Sequence, residues 1–99
     1  MASLTILYWR DIPSQVIVKS GRNSAKRELS ERFIRAIDAA AMHAQTSDAD
    51  AYLAEWRRAE PTPCGDDLEA EASAAAARLE AEYDANRLAE LAKRGGREG

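Results

Sequence analysis

The first twenty residues carry two apolar runs separated by a short polar segment. Residues 3–10 are rich in β-branched and aromatic side chains, and residues 15–20 form the second run, a composition typical of strands. Pro13 lies between the runs, where its fixed φ suits the second position of a turn. The simplest connection is an antiparallel hairpin, because a parallel pair would need a much longer crossover. Apolar side chains on both faces of the first strand predict burial on both sides.

After the predicted hairpin, the apolar residues recur at helical spacing. A stripe formed by Leu29, Phe33 and Ile37 predicts a helix from about residue 25 to residue 45. A second helix is predicted from about residue 49 to residue 59, where aromatic and aliphatic residues again fall on one side.

The second half of the chain is punctuated by proline and glycine and then becomes rich in alanine. Residues 61–65 hold two prolines and a glycine, which end the preceding helix. Residues 66–94 are dominated by Ala, Glu and Arg, with acidic residues first and basic residues last, as the helix dipole favours. We therefore expect a long helix over residues 66–94 and a disordered tail over residues 95–99.

Together these elements predict an α+β fold: a short antiparallel β-hairpin followed by two packed helices and a long Ala-rich C-terminal helix. A chain of 99 residues makes one domain. Its large apolar residues are concentrated before residue 60, and an Ala-rich helix buries little area per residue. We predict a compact domain over residues 3–60, a Pro/Gly linker over 61–65 and a helix beyond it.

The net charge of −3 is unevenly distributed. Residues 1–35 hold seven Lys/Arg and three Asp/Glu, whereas residues 60–99 hold five and ten. A basic front and an acidic tail suggest an anionic partner at one end. The alternative is that the tail shields the basic face of its own chain.

The single cysteine and the apolar pattern predict the cellular compartment of the protein. Cys64 has no second cysteine with which to form an internal disulfide. Arg10 and Asp11 interrupt the first apolar run, so the layout of a signal peptide is absent. No apolar stretch approaches the ~20 residues of a spanning helix. We predict a cytoplasmic protein with no membrane segment.

Six short segments, taken in order, resemble a known family. They are Tyr8-Trp9-Arg10-Asp11-Ile12-Pro13, Gln15-Val16-Ile17-Val18, Gly21-Arg22, the run from Phe33 to Met42, Tyr52-Leu53 and Trp56-Arg57. The combination resembles the virulence factor domain family, which occurs as small proteins in alphaproteobacteria. It is also similar to the C-terminal domain of conserved virulence factor C, a HEAT-repeat protein of staphylococci. The resemblance covers residues 3–60 and leaves the chain from Pro61 outside it.

The name of the family describes a phenotype and no reaction, so the resemblance implies no catalytic residue in this chain. It implies a link with one-carbon and methyl-transfer metabolism, in which the protein would be an accessory subunit.

Four basic residues are candidates for anion binding: Arg10, Lys19, Arg22 and Lys26. A guanidinium offers paired donors to a carboxylate or phosphate, and the start of the predicted helix adds backbone N–H groups. The glycine spacing of a P-loop is absent. Solvated charge is the alternative, and for Arg10 it is a local ion pair with Asp11 that fixes the turn.

Three aromatic residues are candidates for contact with a partner: Tyr8, Trp9 and Trp56. Aromatic residues dominate the energetic centres of interfaces. Alternation predicts that Tyr8 and Trp9 point to opposite faces of their strand, so that only one of them can face the core. Trp56 has the alternative of packing on the hairpin.

No catalytic or metal-binding set of residues is evident. His43 is the only histidine and has no second ligand close to it, and Cys64 has no neighbouring base to activate it. We predict no cofactor, no metal and no catalytic residue, and favour a non-catalytic protein over an enzyme.

Two hypotheses of different class follow. The first is a protein-interaction module that docks on a larger protein or on a second copy of itself. The alternative is a small subunit of an enzyme that binds an anion, such as phosphate or a folate glutamate tail. Nucleic-acid binding ranks third, because no recognised motif accompanies the basic front.

Overall fold

The computed structural model describes residues 2–44 and 48–98, and within them five strands and four helices. The strands are β1 (Ala2–Trp9), β2 (Ile12–Ser20), β3 (Asn23–Glu28), β4 (Trp56–Arg58) and β5 (Thr62–Cys64). The helices are α1 (Glu31–His43), α2 (Ala49–Ala54), α3 (Leu68–Glu82) and α4 (Ala85–Lys93). The strands form one antiparallel sheet in the order β3-β2-β1-β4, and β5 also pairs with β1. The predicted α+β class is confirmed.

The predicted hairpin forms, but its turn lies earlier than expected. β1 and β2 pair from Ser3 and Lys19 to Trp9 and Ile12, which leaves Arg10 with φ of 54° at the turn. The turn position predicted for Pro13 is wrong, because Pro13 lies within β2 opposite Tyr8, where the register shifts. A proline is tolerated there because a bulge does not need its missing N–H.

The helix predicted to start near residue 25 starts six residues later. Residues 23–28 form β3, in which Ala25 faces Val18 of β2 and is buried. α1 begins after Ser30, and the backbone N–H of Leu29 still donates to the Ser14 carbonyl at 3.0 Å. Pairing with β2 supplies the hydrogen bonds that an isolated segment would seek in a helix, so the tertiary partner overrides local preference. The predicted end of this helix at Gln45 lies outside the described residues.

Residues 56–64 run along one edge of β1 as an interrupted strand. The second helix ends at Ala54, not near residue 59, because Trp56 pairs with Trp9 of β1. The N–H of Ala59 donates to the carbonyl of Ile6 at 3.0 Å, and β5 then pairs with the beginning of β1. The segment predicted as a linker thus contains a short edge strand, a position that accepts proline.

The Ala-rich segment is two helices and not one. Asp84 begins α4, where its side chain accepts a hydrogen bond from the N–H of Arg87 at 2.8 Å, as N-cap residues do. Tyr83, at the break, turns its ring towards Phe33, 6.2 Å away between centroids. Residues 95–98, expected to be disordered, hydrogen-bond to the hairpin turn: the Asp11 N–H donates to the Gly96 carbonyl at 2.8 Å.

A single apolar cluster joins the hairpin to the Ala-rich half. Val16 and Val18 are fully buried and pack in one cluster with Ala72, Ala75 and Leu79 of α3. The same cluster takes in α1 and α4 through Phe33, Ile37, Leu88 and Leu91. Because alanine side chains are small, α3 can approach the sheet closely. The apolar area that α3 buries therefore belongs largely to the larger strand residues that it contacts. No helix among the described residues is long and apolar enough to cross a membrane.

Candidate functional site

Two faces of the sheet differ in what covers them. Side chains alternate along each strand, and ten of those that the register places on one face define what we call the open face. It comprises Ser3, Thr5 and Leu7 of β1, Gln15, Ile17 and Lys19 of β2, Ser24, Lys26 and Glu28 of β3, and Arg58 of β4.

The opposite face is covered by α3. Arg27, which shares that face with Val16, donates to the Ser73 hydroxyl at 3.1 Å and forms an ion pair with Glu69 at 2.9 Å. Because both partners belong to α3 or its first turn, this helix lies across the Val16 side of β2 and β3. The side chains of the open face are exposed or half-buried, except that of Ile17, which is buried.

A groove of about 460 Å³ crosses the open face. Its lining includes Thr5 and Ile17 together with residues 59–61 between β4 and β5. Lys19 and Arg58 also line it, and so does one acid, Glu60. Because the edge strand is interrupted between β4 and β5, this face has a groove that a flat sheet would lack.

The cations of the open face have no partners. Lys19, Lys26 and Arg58 are exposed and form no ion pair or side-chain hydrogen bond with the described residues. Arg22, in the turn between β2 and β3, is likewise exposed and unpaired. Arg58 was missed by sequence reasoning, because its place on this face appears only once β4 is known.

Arg10 lies away from the other three predicted anion-binding residues. It follows Trp9 at the turn end of the hairpin, whereas Lys19 pairs with Ser3 at the other end. At ~3.4 Å per residue the two side chains start about 20 Å apart. The structure therefore brings together Lys19, Arg22 and Lys26 but does not bring Arg10 to them.

The Arg10 guanidinium contacts groups of its own chain. It donates to the Gly95 carbonyl at 2.8 Å and lies 3.3 Å from a carboxylate oxygen of Glu55. Its neighbour Asp11 accepts from Arg57, at 3.3 Å, and from the N–H of Glu98, at 2.8 Å. The alternative of a local ion pair therefore takes an unexpected form: the turn is fixed to α2, β4 and residues 95–98.

The two tryptophans line one compact aromatic group. Trp9 is fully buried, and its indole N–H donates to the Tyr52 carbonyl at 3.0 Å. Trp56 meets the Tyr52 ring edge-on at 6.0 Å. Trp9 is covered on its other side by Gly96. Of the three aromatic candidates, Trp9 thus has no exposed surface, and Trp56 is half-buried on the hairpin.

Tyr8 lies on the opposite side from Trp9, as alternation predicted. The Arg57 guanidinium stacks over its ring at 4.6 Å, and the Arg87 guanidinium stacks over Tyr83 at 4.0 Å. Burial raises the pKa of both tyrosine hydroxyls above the ordinary value. Both hydroxyls therefore stay protonated at neutral pH and are available as donors.

The remaining chemical candidates stand apart. His43 is exposed at the end of α1. Cys64 lies in β5, where partial burial and then the carboxylates of Glu71 and Asp66 raise the pKa of its thiol, which disfavours the nucleophilic thiolate. Within residues 2–44 and 48–98, no group of three or more potential ligands could hold a metal ion.

Comparison with known proteins identifies the family but no individual relative. Neither the curated proteins nor the solved structures gave a match. The model of the family described as "Virulence factor" matches residues 7–92. This match runs past Pro61 to α4, so the limit of the resemblance at residue 60 was too short, in keeping with the shared core. With most of its length matched, the chain belongs to the Virulence factor family.

Proposed function

We propose that this protein is a non-catalytic interaction module whose open face docks an acidic segment of a partner protein. The observation that carries the proposal is the set of four unpaired cations on or beside that face: Lys19, Arg22, Lys26 and Arg58. An acidic segment would find complementary charge there, which steers association and sets specificity.

These four cations are distinctive because most other cations of the described residues are paired. Most other Arg and Lys side chains of the described residues form an ion pair or a hydrogen bond with the chain itself: Arg10, Arg27, Arg32, Arg35, Arg57, Arg87, Lys93, Arg94 and Arg97. Arg78 of α3 is the remaining unpaired cation in that part of the chain. The ion pairs of the described residues therefore lie at the helices and the hairpin turn, and the two acids at the open face, Glu28 and Glu60, pair with none of its cations.

The arrangement fits an extended chain better than a small anion. Lys19, Lys26 and Arg58 belong to three different strands, so their charges are spread over a surface. A small anion needs donors that converge on one point, whereas a peptide laid across the groove can meet several separate cations. The small-anion alternative is thus weaker on this face.

Nucleic acid is also less well matched. Single-stranded nucleic acid binds to sheets by stacking its bases on aromatic side chains. The centre of the open face carries Thr5, Leu7 and Ile17, which are aliphatic or small.

The test compares two charge reversals of equal size. Lys26→Glu changes the open face, and Arg78→Glu reverses an unpaired cation that lies outside it. The probe is a short poly-glutamate peptide, titrated into each purified protein at low salt. We expect Lys26→Glu to weaken binding about five-fold or more and Arg78→Glu to leave it close to wild type. Equal effects of both reversals would contradict the proposal.

Partner identity and compartment are addressed in cells. Purification of the tagged wild type and of Lys26→Glu from native cells, with mass spectrometry, identifies proteins lost specifically on reversal. A partner from one-carbon or methyl-transfer metabolism would support the accessory-subunit role that the resemblance implies. Self-association reduced by Lys26→Glu would instead assign the face to a homodimer. The cytoplasmic location stays a prediction, which fractionation of the same cells tests.

A further inference from the structure

A second, smaller site lies on the covered side of the sheet. A pocket of about 260 Å³ is lined by Tyr8, Asp11, Arg57, Tyr83 and Glu98, and we call it the tyrosine pocket. Arg57 and Arg58 are neighbours in β4 and pair with Tyr8 and Leu7 respectively, so the two guanidiniums serve different faces. The tyrosine pocket is therefore independent of the open face.

An acidic residue of the chain itself, Glu98, is part of the lining of the tyrosine pocket. Its carboxylate accepts a hydrogen bond from Arg87 at 2.6 Å. Its backbone N–H donates to Asp11 at 2.8 Å, which fixes this segment beside the pocket. A short, charge-assisted contact of this kind is how proteins hold bound carboxylates and phosphates.

Both tyrosine hydroxyls have hydrogen-bonding capacity left. Neither Tyr8 nor Tyr83 uses its hydroxyl in a hydrogen bond with the described residues, although both side chains are at least half-buried. A protonated hydroxyl can donate a hydrogen bond to an anion without placing a second negative charge beside it. They lie beside two guanidiniums that are stacked on their rings, which limits the motion of the positive groups.

We propose that the tyrosine pocket binds an oxyanion, the phosphate or carboxylate group of a small molecule, in place of the Glu98 carboxylate. The lining supplies donors from the hydroxyls of Tyr8 and Tyr83 and from Arg57. Arg87, the present partner of Glu98, adds the nitrogen that is freed when Glu98 is displaced. Asp11 is the opposing charge in the pocket, and it is neutralised by Arg57 at 3.3 Å. Glu98 acts as a tethered competitor that a ligand must displace.

The experiment measures phosphate and acetate binding at constant ionic strength, by following backbone amide chemical shifts. Wild type is compared with Glu98→Ala, which removes the competitor. Glu90→Ala is the control, because Glu90 is also an exposed acid of this region and has its own cation, Lys93, at 3.8 Å. We expect Glu98→Ala to bind the preferred anion about five-fold more tightly than wild type, and Glu90→Ala to match wild type.

Tyr83→Phe gives a second, independent readout. It keeps the ring that packs near Phe33 and removes only the hydroxyl, so the fold is retained and binding falls about five-fold. Stronger binding of phosphate assigns the pocket to phosphate groups, and stronger binding of acetate assigns it to carboxylates. Shift changes centred on Lys19 and Lys26, or no gain in Glu98→Ala, would overturn the proposal. Failure of the open face to bind poly-glutamate leaves this test unaffected.

Discussion

Lys26 and Arg27 are neighbours in β3, yet their surroundings are opposite. Arg27 reaches α3 and pairs with Glu69, whereas Lys26 lies on the open face with no partner. The same basic front is therefore partly shielded by the acidic half of the chain and partly left free. Shielding by the acidic half therefore holds for Arg27 on the covered face, whereas an anionic partner stays a proposal for the open face; strand alternation decides which residue belongs to which face.

The largest effect on this comparison is expected when the residues after 60, which include the helix that covers the sheet, are removed. A chain ending at residue 60 loses α3, which packs against β2 with its Val16 and Val18, α4, which packs against α1, and also β5. We expect loss of cooperative thermal unfolding, because the apolar side chains that α3 covers would be exposed to water. Circular dichroism checks this. A cooperative transition in residues 1–60 would favour the predicted compact domain over residues 3–60.

Leucine truncation on each face sharpens the comparison. Leu79→Ala removes a buried contact of α3 with the sheet, and we expect it to lower the free energy of unfolding by about 2–5 kcal/mol. Leu7→Ala, on the open face, removes a half-buried side chain and should cost about 1 kcal/mol. Denaturant titration measures both. Equal losses would mean that the open face is packed as tightly as the covered one.

Substitution of Gly96 tests how far along β1 the open face extends. Trp9 follows Thr5 and Leu7 in alternation but is covered by Gly96, whose φ is 90° and where a Cβ would lie 3.0 Å from the Trp9 ring. We expect Gly96→Ala to cost about 2–3 kcal/mol, from backbone strain plus overpacking. Gly21→Ala is the control: φ is 59° but a Cβ meets open space, so about 1 kcal/mol is expected. Identical losses would show that residues 95–98 do not hold Trp9.

The smallest expected effect comes from the two neighbouring cations. Arg27→Ala should cost about 0.5–1 kcal/mol, because its ion pair with Glu69 is largely exposed. Lys26→Ala should leave the free energy of unfolding within ~0.5 kcal/mol of wild type. Raised salt should remove most of the difference. A larger loss in Lys26→Ala would reveal a stabilising role for the open face.

Local patterns predicted the elements that local contacts form. The hairpin of β1 and β2, the apolar stripe from Phe33 to Ile37 and the opposite orientation of Tyr8 and Trp9 all follow from alternation or helical spacing. Asp84 is an N-cap signal in the sequence, but the Ala-rich composition on both sides of it favours one continuous helix.

Long-range pairing was beyond such patterns. β3 has one buried residue, Ala25, and β4 and β5 have three residues each, too few for alternation to show. β4 and β5 pair with β1 residues that are more than forty positions away, whereas β3 pairs with the adjacent β2 and only lacks a visible alternation. The candidate site shares this origin: Lys19 and Lys26 could be proposed from charge alone, whereas Arg58 joins them only through pairing with Leu7.

The interrupted strand along β1 has a consequence for synthesis. β1 is synthesised before the strands that complete its second edge, which end at Cys64, and before residues 95–98, which complete the cover of Trp9. Until those residues leave the ribosome, the nascent hairpin presents an unpaired edge and an incompletely covered indole, features that promote aggregation. We therefore expect chains that stall before residue 95 to depend on chaperones, because residues 56–64 and 95–98 close these two openings.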